Sequence, residues 1–395
     1  MAESEPWRVG WDITEQERNR FREMSIASQE AKRRALQDGI AVHPLWYPRL
    51  DPLELMPQQP SNHLSALSLF SGGGGLDLGF DRAGFTHAGS WDFFEDAANS
   101  LTTNRPMWEV HGGMQEGDVR LVDSKEWRRL RGTVDVVQGG PPCQPFSASG
   151  RQRGPADPRD MFPEFVRAVL AIEPDAFVAE NVPALLQQKF STYLEEVVKA
   201  PLRKKYEVLE PIVLRADSFG VPQIRRRVFL IGFRSKRAAK AFVPPLPTHS
   251  SARFKNGFPD GDGVISKLCM GAREALGLDE LEFDALAPTI RSSLTGPRHT
   301  TSILSSVSAR RVWESLRLWP NGIAPDREAA RRYPTPNGHM RMSVQDIGLL
   351  QGFPESWVFS GPVYKVLGQI GNAVPPPLAY RVACAVSSAL CSSAR

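Results

Sequence analysis

A strand, a glycine-rich turn and a helix recur along this chain from Leu64 onward, and reactive or polar residues stand where the strands end. Ala66–Phe70 is a short apolar run, followed by Ser71, Gly72, Gly73, Gly74 and Gly75 and then a helical stretch from Leu76 to Ala83. Val134–Val137 leads into Gly139, Gly140, Pro141 and Pro142, and Ala176–Ala179 ends at Glu180. Arg227–Phe233 is a further run of this kind. Strands alternating with helices imply an α/β protein with a mostly parallel, doubly wound sheet covered on both faces. Ligands bind such sheets beyond the carboxyl ends of the strands. The residues expected there are Ser71–Gly75, Asp92, Asp118, Pro141–Cys143 and Glu180–Asn181.

The rest of the chain is organised around this unit. Residues 1–63 read as an N-terminal extension without chemistry of its own: a charged helical stretch from Glu15 to a C-cap glycine, Gly39, then a proline-rich linker. Residues 64–236 carry the alternation. Residues 237–340 are rich in Pro, Gly, Ser, Thr and Arg and break it, so they read as a second, smaller and irregular domain; residues 341–395 return to the first. No apolar run approaches the roughly 18 residues that span a bilayer. The polar, acidic start lacks a secretory hydrophobic region, and a cytoplasmic protein is expected. Four cysteines without CxxC spacing suggest neither a metal site nor a disulfide framework, and Cys384 and Cys391 are expected as small buried hydrophobes. The net charge of +4 demands no polyanion, but Ala285–Met340 holds eight Arg, no Lys and three acids. That block suits a nucleic-acid partner and a solvated surface equally.

Three groups of residues carry chemistry. The Gly turn opens a helix and suits close approach by a nucleotide-like ligand, but it departs from G-x-G-x-x-G because Asp77 and Leu78 stand where a third glycine would. Asp92 ends the next strand, where an acid accepts from ribose hydroxyls; Phe93 beside it offers a face to adenine, and Asp118 is a third strand-end acid. Each alone suits a turn or a cap; together they describe an adenosine pocket. Cys143 sits between prolines on a stiff strand-end loop, the setting of a nucleophile rather than of a structural cysteine. Glu180 ends the neighbouring strand, where partial desolvation raises a carboxyl pKa and lets it donate a proton. In strand spacing Gln223, Arg225 and Arg227 share one face, so two guanidiniums would lie over an anion or a substrate, or else over solvent.

In order, FSGGGG, PPCQPFS, ENV, QxRxR and Gln369-Ile370-Gly371-Asn372-Ala373-Val374 resemble the C5-cytosine DNA methyltransferases, most closely the bacterial modification enzymes of restriction systems. The resemblance covers about 64–233 and 342–389. It departs at Ser68, where the family often has an acid, and at Ser343-Val344-Gln345-Asp346, where an Arg-Glu pair is common. It implies a Rossmann-like methyltransferase sheet, with 237–340 as the target recognition domain. S-adenosyl-L-methionine would be held by Phe70, Ser71, Gly72, Gly73, Gly74, Gly75, Asp92, Phe93, Asp118, Val119, Pro141, Asn372 and Ala373. Cys143 would add to C6 of a flipped cytosine, Glu180 would meet N3 and the exocyclic amine, and Arg225 and Arg227 would support the activated base. Double-stranded DNA is the implied partner of a monomer, with a cognate restriction endonuclease acting on the same site and no membrane. Three other readings fit less of the chain. A nicotinamide oxidoreductase leaves PPCQP and ENV unexplained. An RNA cytosine methyltransferase shares the motifs but not the need for a long variable domain. An inactive binding module has no reason to keep Cys143 and Glu180.

Overall fold

The computed structural model describes residues 14–142, 160–258, 267–278, 283–292 and 300–394, so Cys143 and Arg298 lie outside the described residues. The strands are β1 (Ser65–Leu69), β2 (Thr86–Asp92), β3 (Val110–Gly112), β4 (Val136–Gly139), β5 (Ala176–Asn181), β6 (Glu207–Val208), β7 (Ile212–Arg215), β8 (Arg226–Phe233), β9 (His249–Ser250), β10 (Lys267–Leu268), β11 (Leu318–Ala324) and β12 (Met340–Ser343). The main sheet has the order β3-β2-β1-β4-β5-β8-β6, with β7 also paired to β8. β1 runs parallel to β2 and β4, β2 to β3, and β4 to β5. β8 is antiparallel to β5, β6 and β7. The chain winds outward from β1 in one direction and from β4 in the other. The strand order therefore reverses between β1 and β4, the place where open α/β sheets form their ligand crevice. The expected doubly wound, mostly parallel sheet is what the chain forms.

The strands read as unbroken apolar runs because both faces are covered. Val136 and Val178 point to a core shared with Leu78 and Phe80 of the helix Gly75–Arg82 and with Leu378, Val382 and Val386 of the helix Pro376–Ala394. Their neighbours Val137 and Phe177 point the other way, to Phe165, Val169 and Ile172 of the helix Phe162–Ile172. The alternation is the two-residue period of a strand. Each fully buried aromatic or aliphatic side chain there contributes about 1.5–3 kcal/mol of burial.

The second lobe has its own core, in which Leu276, Ile290, Trp313 and Leu318 pack with Ile347, Leu367 and Ile370. The segment of residues 344–372 therefore serves both lobes, since Phe353 and Trp357, in the loop between its two helices, belong to the first core. The N-terminal segment does too. Trp46, Leu50 and Leu55 are buried in the second core, and Trp46 Nε1 donates to Asp346 Oδ1 at 3.0 Å. Val42 N–H reaches Arg331 O at 2.8 Å, while Gln59 N–H and Asn62 N–H reach Arg82 O (2.9 Å) and Gly84 O (3.0 Å) on the sheet lobe. The segment expected to stand apart is a strap across both lobes. No helix among the described residues is long and apolar enough to cross a membrane.

The cysteines correct one expectation. Cys269 is buried, and burial pushes its thiol well up, but Cys384 is only half-buried and Cys391 is exposed. The last turn of the C-terminal helix keeps Val386, Ala389 and Leu390 on the core and turns Cys391 to solvent.

Candidate active site

The crevice at the switch point is built from turns that the sequence places immediately after β1, β2, β4 and β5. After β1 the backbone enters the left-handed region at Phe70 (φ 59°) and Gly72 (φ 56°), which folds the chain sharply into the helix Gly75–Arg82. The glycines of this turn do different jobs. A Cβ on Gly75 would lie 2.1 Å from Val374 O, and one on Gly74 would lie 2.6 Å from Leu101 and 2.8 Å from Trp357. One on Gly73 would come within 3.2 Å of Gln369 O. These three are small so that the Gln369–Val374 segment and Trp357 can pack down on the turn, and Trp357 Nε1 donates to Gly73 O at 3.1 Å. Gly72 alone meets nothing but Phe70 O. Close approach by a ligand is therefore left to Gly72.

Asp92, at the end of β2, is buried and ties the crevice together. Its Oδ2 accepts from Gly72 N–H at 2.7 Å and its Oδ1 from Phe94 N–H at 2.8 Å. Burial outweighs these hydrogen bonds and, with the nearby Asp77, pushes the carboxyl up to about 6. Each oxygen keeps a second lone pair for a diol. Asp118 behaves differently. Burial pulls it upward, but Arg120 outweighs that and holds it below the usual carboxylate range. Arg120 Nη2 lies 2.6 Å from Asp118 Oδ2 and its Nε donates to Oδ1 at 2.9 Å. The same guanidinium lies 5.8 Å from the centre of the Phe93 ring. Val119 between them is buried.

Across the switch point, Gly140 follows β4, and a Cβ there would lie 3.0 Å from Glu180 Oε2. Asn181 Nδ2 donates to Pro141 O at 3.1 Å, fixing the start of the loop that carries Cys143. Glu180 is 6% exposed and forms an ion pair with Arg227, Nε to Oε1 at 2.6 Å. The pair follows from topology. β8 is antiparallel to β5, so the start of one strand meets the end of the other and Val228 stands beside Asn181. Burial drives the Glu180 carboxyl up, opposed by the charges of Arg227 and then Arg225.

The expectation for QxRxR needs correction. Arg225 lies over neither an open crevice nor solvent; it is buried and donates to Ile290 O (3.3 Å), Gly371 O (2.6 Å) and Ala373 O (2.9 Å). Gln223 is buried too, donating to Leu350 O at 3.0 Å. Gln223, Arg225 and Arg227 are buried while Arg226 is exposed, so the two-residue period holds, but the first two are covered by protein. Arg225 instead clamps the second lobe to the segment beside the Gly turn. Asn372 ends its helix on the exposed side and Ala373 is buried against the turn. Sequence reasoning missed Arg120 and Trp357; nothing in their spacing says that one reaches Phe93 and the other Gly73.

A turn open at Gly72, a buried acid on that turn, and an aromatic face next to a second acid form a donor and acceptor set that fits an adenosyl group with its ribose diol and exocyclic amine. Glu180 with Arg227 lies one strand beyond the switch point from it. Residues 64–388 match the family of C-5 cytosine-specific DNA methylases. The Type II methyltransferase M.NgoMIV of Neisseria gonorrhoeae is 31% identical over 327 residues, covering 82% of this chain and 98% of that protein. M.PspPI of Psychrobacter is 29% identical over 351 residues, covering 84% of this chain and 81% of that protein. A crystal structure of a prophage-encoded DNA modification methyltransferase from E. coli shares the fold, with a TM-score of 0.50 at 24% identity over 83% of this chain and 99% of that one. A match of this extent, on a sheet whose strand ends carry these groups, means that the chain belongs to the C-5 cytosine-specific DNA methylase family and is an enzyme that methylates cytosine at C5 in DNA.

Proposed function

We propose that the protein modifies host DNA at a specific duplex site, using S-adenosyl-L-methionine and Cys143, and so protects that site from a cognate restriction endonuclease. The observation that carries the chemical part is the buried Glu180–Arg227 pair beside the Pro141 loop, across the switch point from the Asp92 turn. The restriction context rests on the relatives being named Type II methyltransferases. A cytoplasmic monomer is the simplest form consistent with both. Bisulfite sequencing of DNA from cells expressing the chain tests the reading, with a Glu180→Ala protein as control. A repeated protected sequence in the first and none in the second is expected, and identical maps would contradict it.

The target carbon lies inside the duplex stack, so the base is extruded first, at a few kcal/mol. C5 of cytosine is a poor nucleophile until C6 is attacked. The Cys143 thiolate adds to C6, electron density moves toward N3, and Glu180 gives N3 a proton. Arg227 fixes the Glu180 carboxyl and adds positive charge where negative charge develops. The cofactor, when bound, supplies an electrophilic sulfonium methyl. Once C5 is substituted, a base or water takes its proton, the C6–S bond breaks so that Cys143 departs as thiolate, and N3 returns its proton to Glu180. Asp92 would hold the ribose diol, with Phe93, Asp118 and Val119 around the adenine; Phe70, Ser71 and Gly72–Gly75 would form the turn beneath, with Pro141, Asn372 and Ala373 along its edge.

Asp92 gives this assignment a pH dependence. Its carboxyl, pushed up to about 6, must be ionised to accept from a diol while holding Gly72. Cofactor affinity should therefore fall up to tenfold per pH unit as pH drops below about 6. Folding stability should move the opposite way. Burial favours the neutral acid, so this group's stabilising contribution is full below its unfolded pKa and is lost as pH rises through about 6. Calorimetric titration with S-adenosylhomocysteine between pH 5 and 8 reads the first effect, and Asp92→Asn should flatten it. A flat wild-type profile would count against the placement.

Sequence choice is assigned to the inserted lobe, but its arginines are not equivalent. Arg327 is ion-paired to buried Asp346 at 2.8 Å and also to Glu355. Arg331 and Arg332 pair with Glu328. Arg310 and Arg311, on the helix Val307–Ser315, and Arg317 after it are exposed. Alanine at Arg310 or Arg311 should make the salt dependence of DNA binding shallower by about one unit of slope each. Arg327→Ala should instead destabilise the fold by about 3 kcal/mol, because it strands a buried carboxylate. DNA-binding isotherms at several salt concentrations and denaturant melts separate the two; an unchanged slope at Arg310 and Arg311 would place the DNA elsewhere.

A further inference from the structure

The Arg120 guanidinium lies between the Phe93 ring and the Asp118 carboxylate, the two groups assigned above to an adenine. It is planar, its Nε and Nη2 edge donates to Asp118 at 2.9 and 2.6 Å, and its carbon lies 5.8 Å from the centre of the Phe93 ring. Adenine bound here would repeat those features: a flat face on Phe93 and an amine edge donating to Asp118. Asp118 already accepts from Arg120 N–H at 3.0 Å as well, so the arginine fork uses the lone pairs that a second donor would need.

We propose that Arg120 is a self-plug of the adenine subsite, which must swing away before the cofactor seats. This rests on the cofactor reading given above. The side chain is free to do so, being 46% exposed, and it has somewhere to go. Glu164, in the first turn of the helix Phe162–Ile172 and itself paired with Arg167 at 2.6 Å, is close enough to attract it. The Asp118 end of the ion pair is buried, but the Arg120 end is 46% exposed and screened by water. With the cation–ring contact near the outer limit of about 6 Å, the pair biases the side chain toward the closed position. A modest shift is enough to matter, because apparent affinity falls by the fraction of molecules that are open. The plug neutralises the Asp118 carboxylate, and it makes cofactor capture sensitive to salt.

The test is the affinity of the full-length protein for S-adenosylhomocysteine, by calorimetry, with association rates by stopped flow. Arg120→Met removes the fork and should tighten binding about three- to tenfold, with the gain in the association rate. Arg120→Lys keeps the charge but not the planar fork and should fall between the two. High salt should shrink the difference by screening the ion pair in the wild type. Tighter binding is not something a damaged fold produces, and a thermal melt of each variant checks folding directly. Weaker binding in Arg120→Met would mean that the arginine holds adenine rather than replaces it, and equal binding would mean that it does neither; both overturn the proposal. A wild-type protein that fails to bind S-adenosylhomocysteine at all would overturn the cofactor reading itself.

Discussion

Cys143→Ala protein is expected to lose DNA methylation by at least about 10⁴-fold, the scale on which covalent enzymes fall when the nucleophile is removed. The expectation rests on what surrounds the residue. Gly140 gives up its side chain to make room for Glu180, and Asn181 holds Pro141 by its carbonyl, so the loop leaves β4 on a fixed heading beside the acid. Pro141 and Pro142, immediately before the cysteine in the sequence, restrict the backbone where the loop begins. Without a thiolate at C6 there is no enamine at C5. DNA binding should survive in the variant, because recognition is assigned to the other lobe. Transfer of labelled methyl groups to duplex DNA measures the loss, and a Cys143→Ala protein within tenfold of wild type would remove the covalent route.

Glu180→Gln should lower the rate by roughly 10²–10⁴-fold, the usual contribution of a positioned general acid. The substitution keeps shape and hydrogen bonding but cannot release a proton. Glu180 suits the role because burial drives its carboxyl up while Arg227, 2.6 Å away, keeps the ionised form tolerable after the proton has gone. The sign can be checked. The acid must be protonated to act, so the wild-type rate should decline on the alkaline side as pH rises through that raised pKa, and the decline should vanish in Glu180→Gln. A variant that keeps both the rate and the alkaline limb would transfer the role to another group.

What the sequence made legible was local. β4 and β5 could be read because both their faces are buried, and the residues at their ends were recognisable as a set. The pairing of Arg227 with Glu180 was only half legible. The motif supplied the residues, but which arginine meets the acid depends on where β8 starts and on its antiparallel register. Arg225 looked equivalent in spacing and is instead a clamp on three carbonyls. Contacts between distant segments were not legible at all. Trp46 finds Asp346 across 300 residues, and that contact helps make the N-terminal segment a strap instead of a loose extension. Arg327 counted as basic surface until Asp346 and Glu355 neutralised it.

The central claim, that this crevice methylates cytosine through a thioether on Cys143, is tested most directly by a mechanism-based trap. Duplex DNA carrying 5-fluorocytosine at the methylated position, incubated with the protein and S-adenosyl-L-methionine, stalls after C5 is substituted, because fluorine cannot leave as the proton does. A denaturation-resistant complex is predicted, with the nucleotide mapped by mass spectrometry to the peptide containing Cys143 and absent from the Cys143→Ala protein. Methylation of ordinary DNA without any such complex, or an adduct on another residue, would contradict the account.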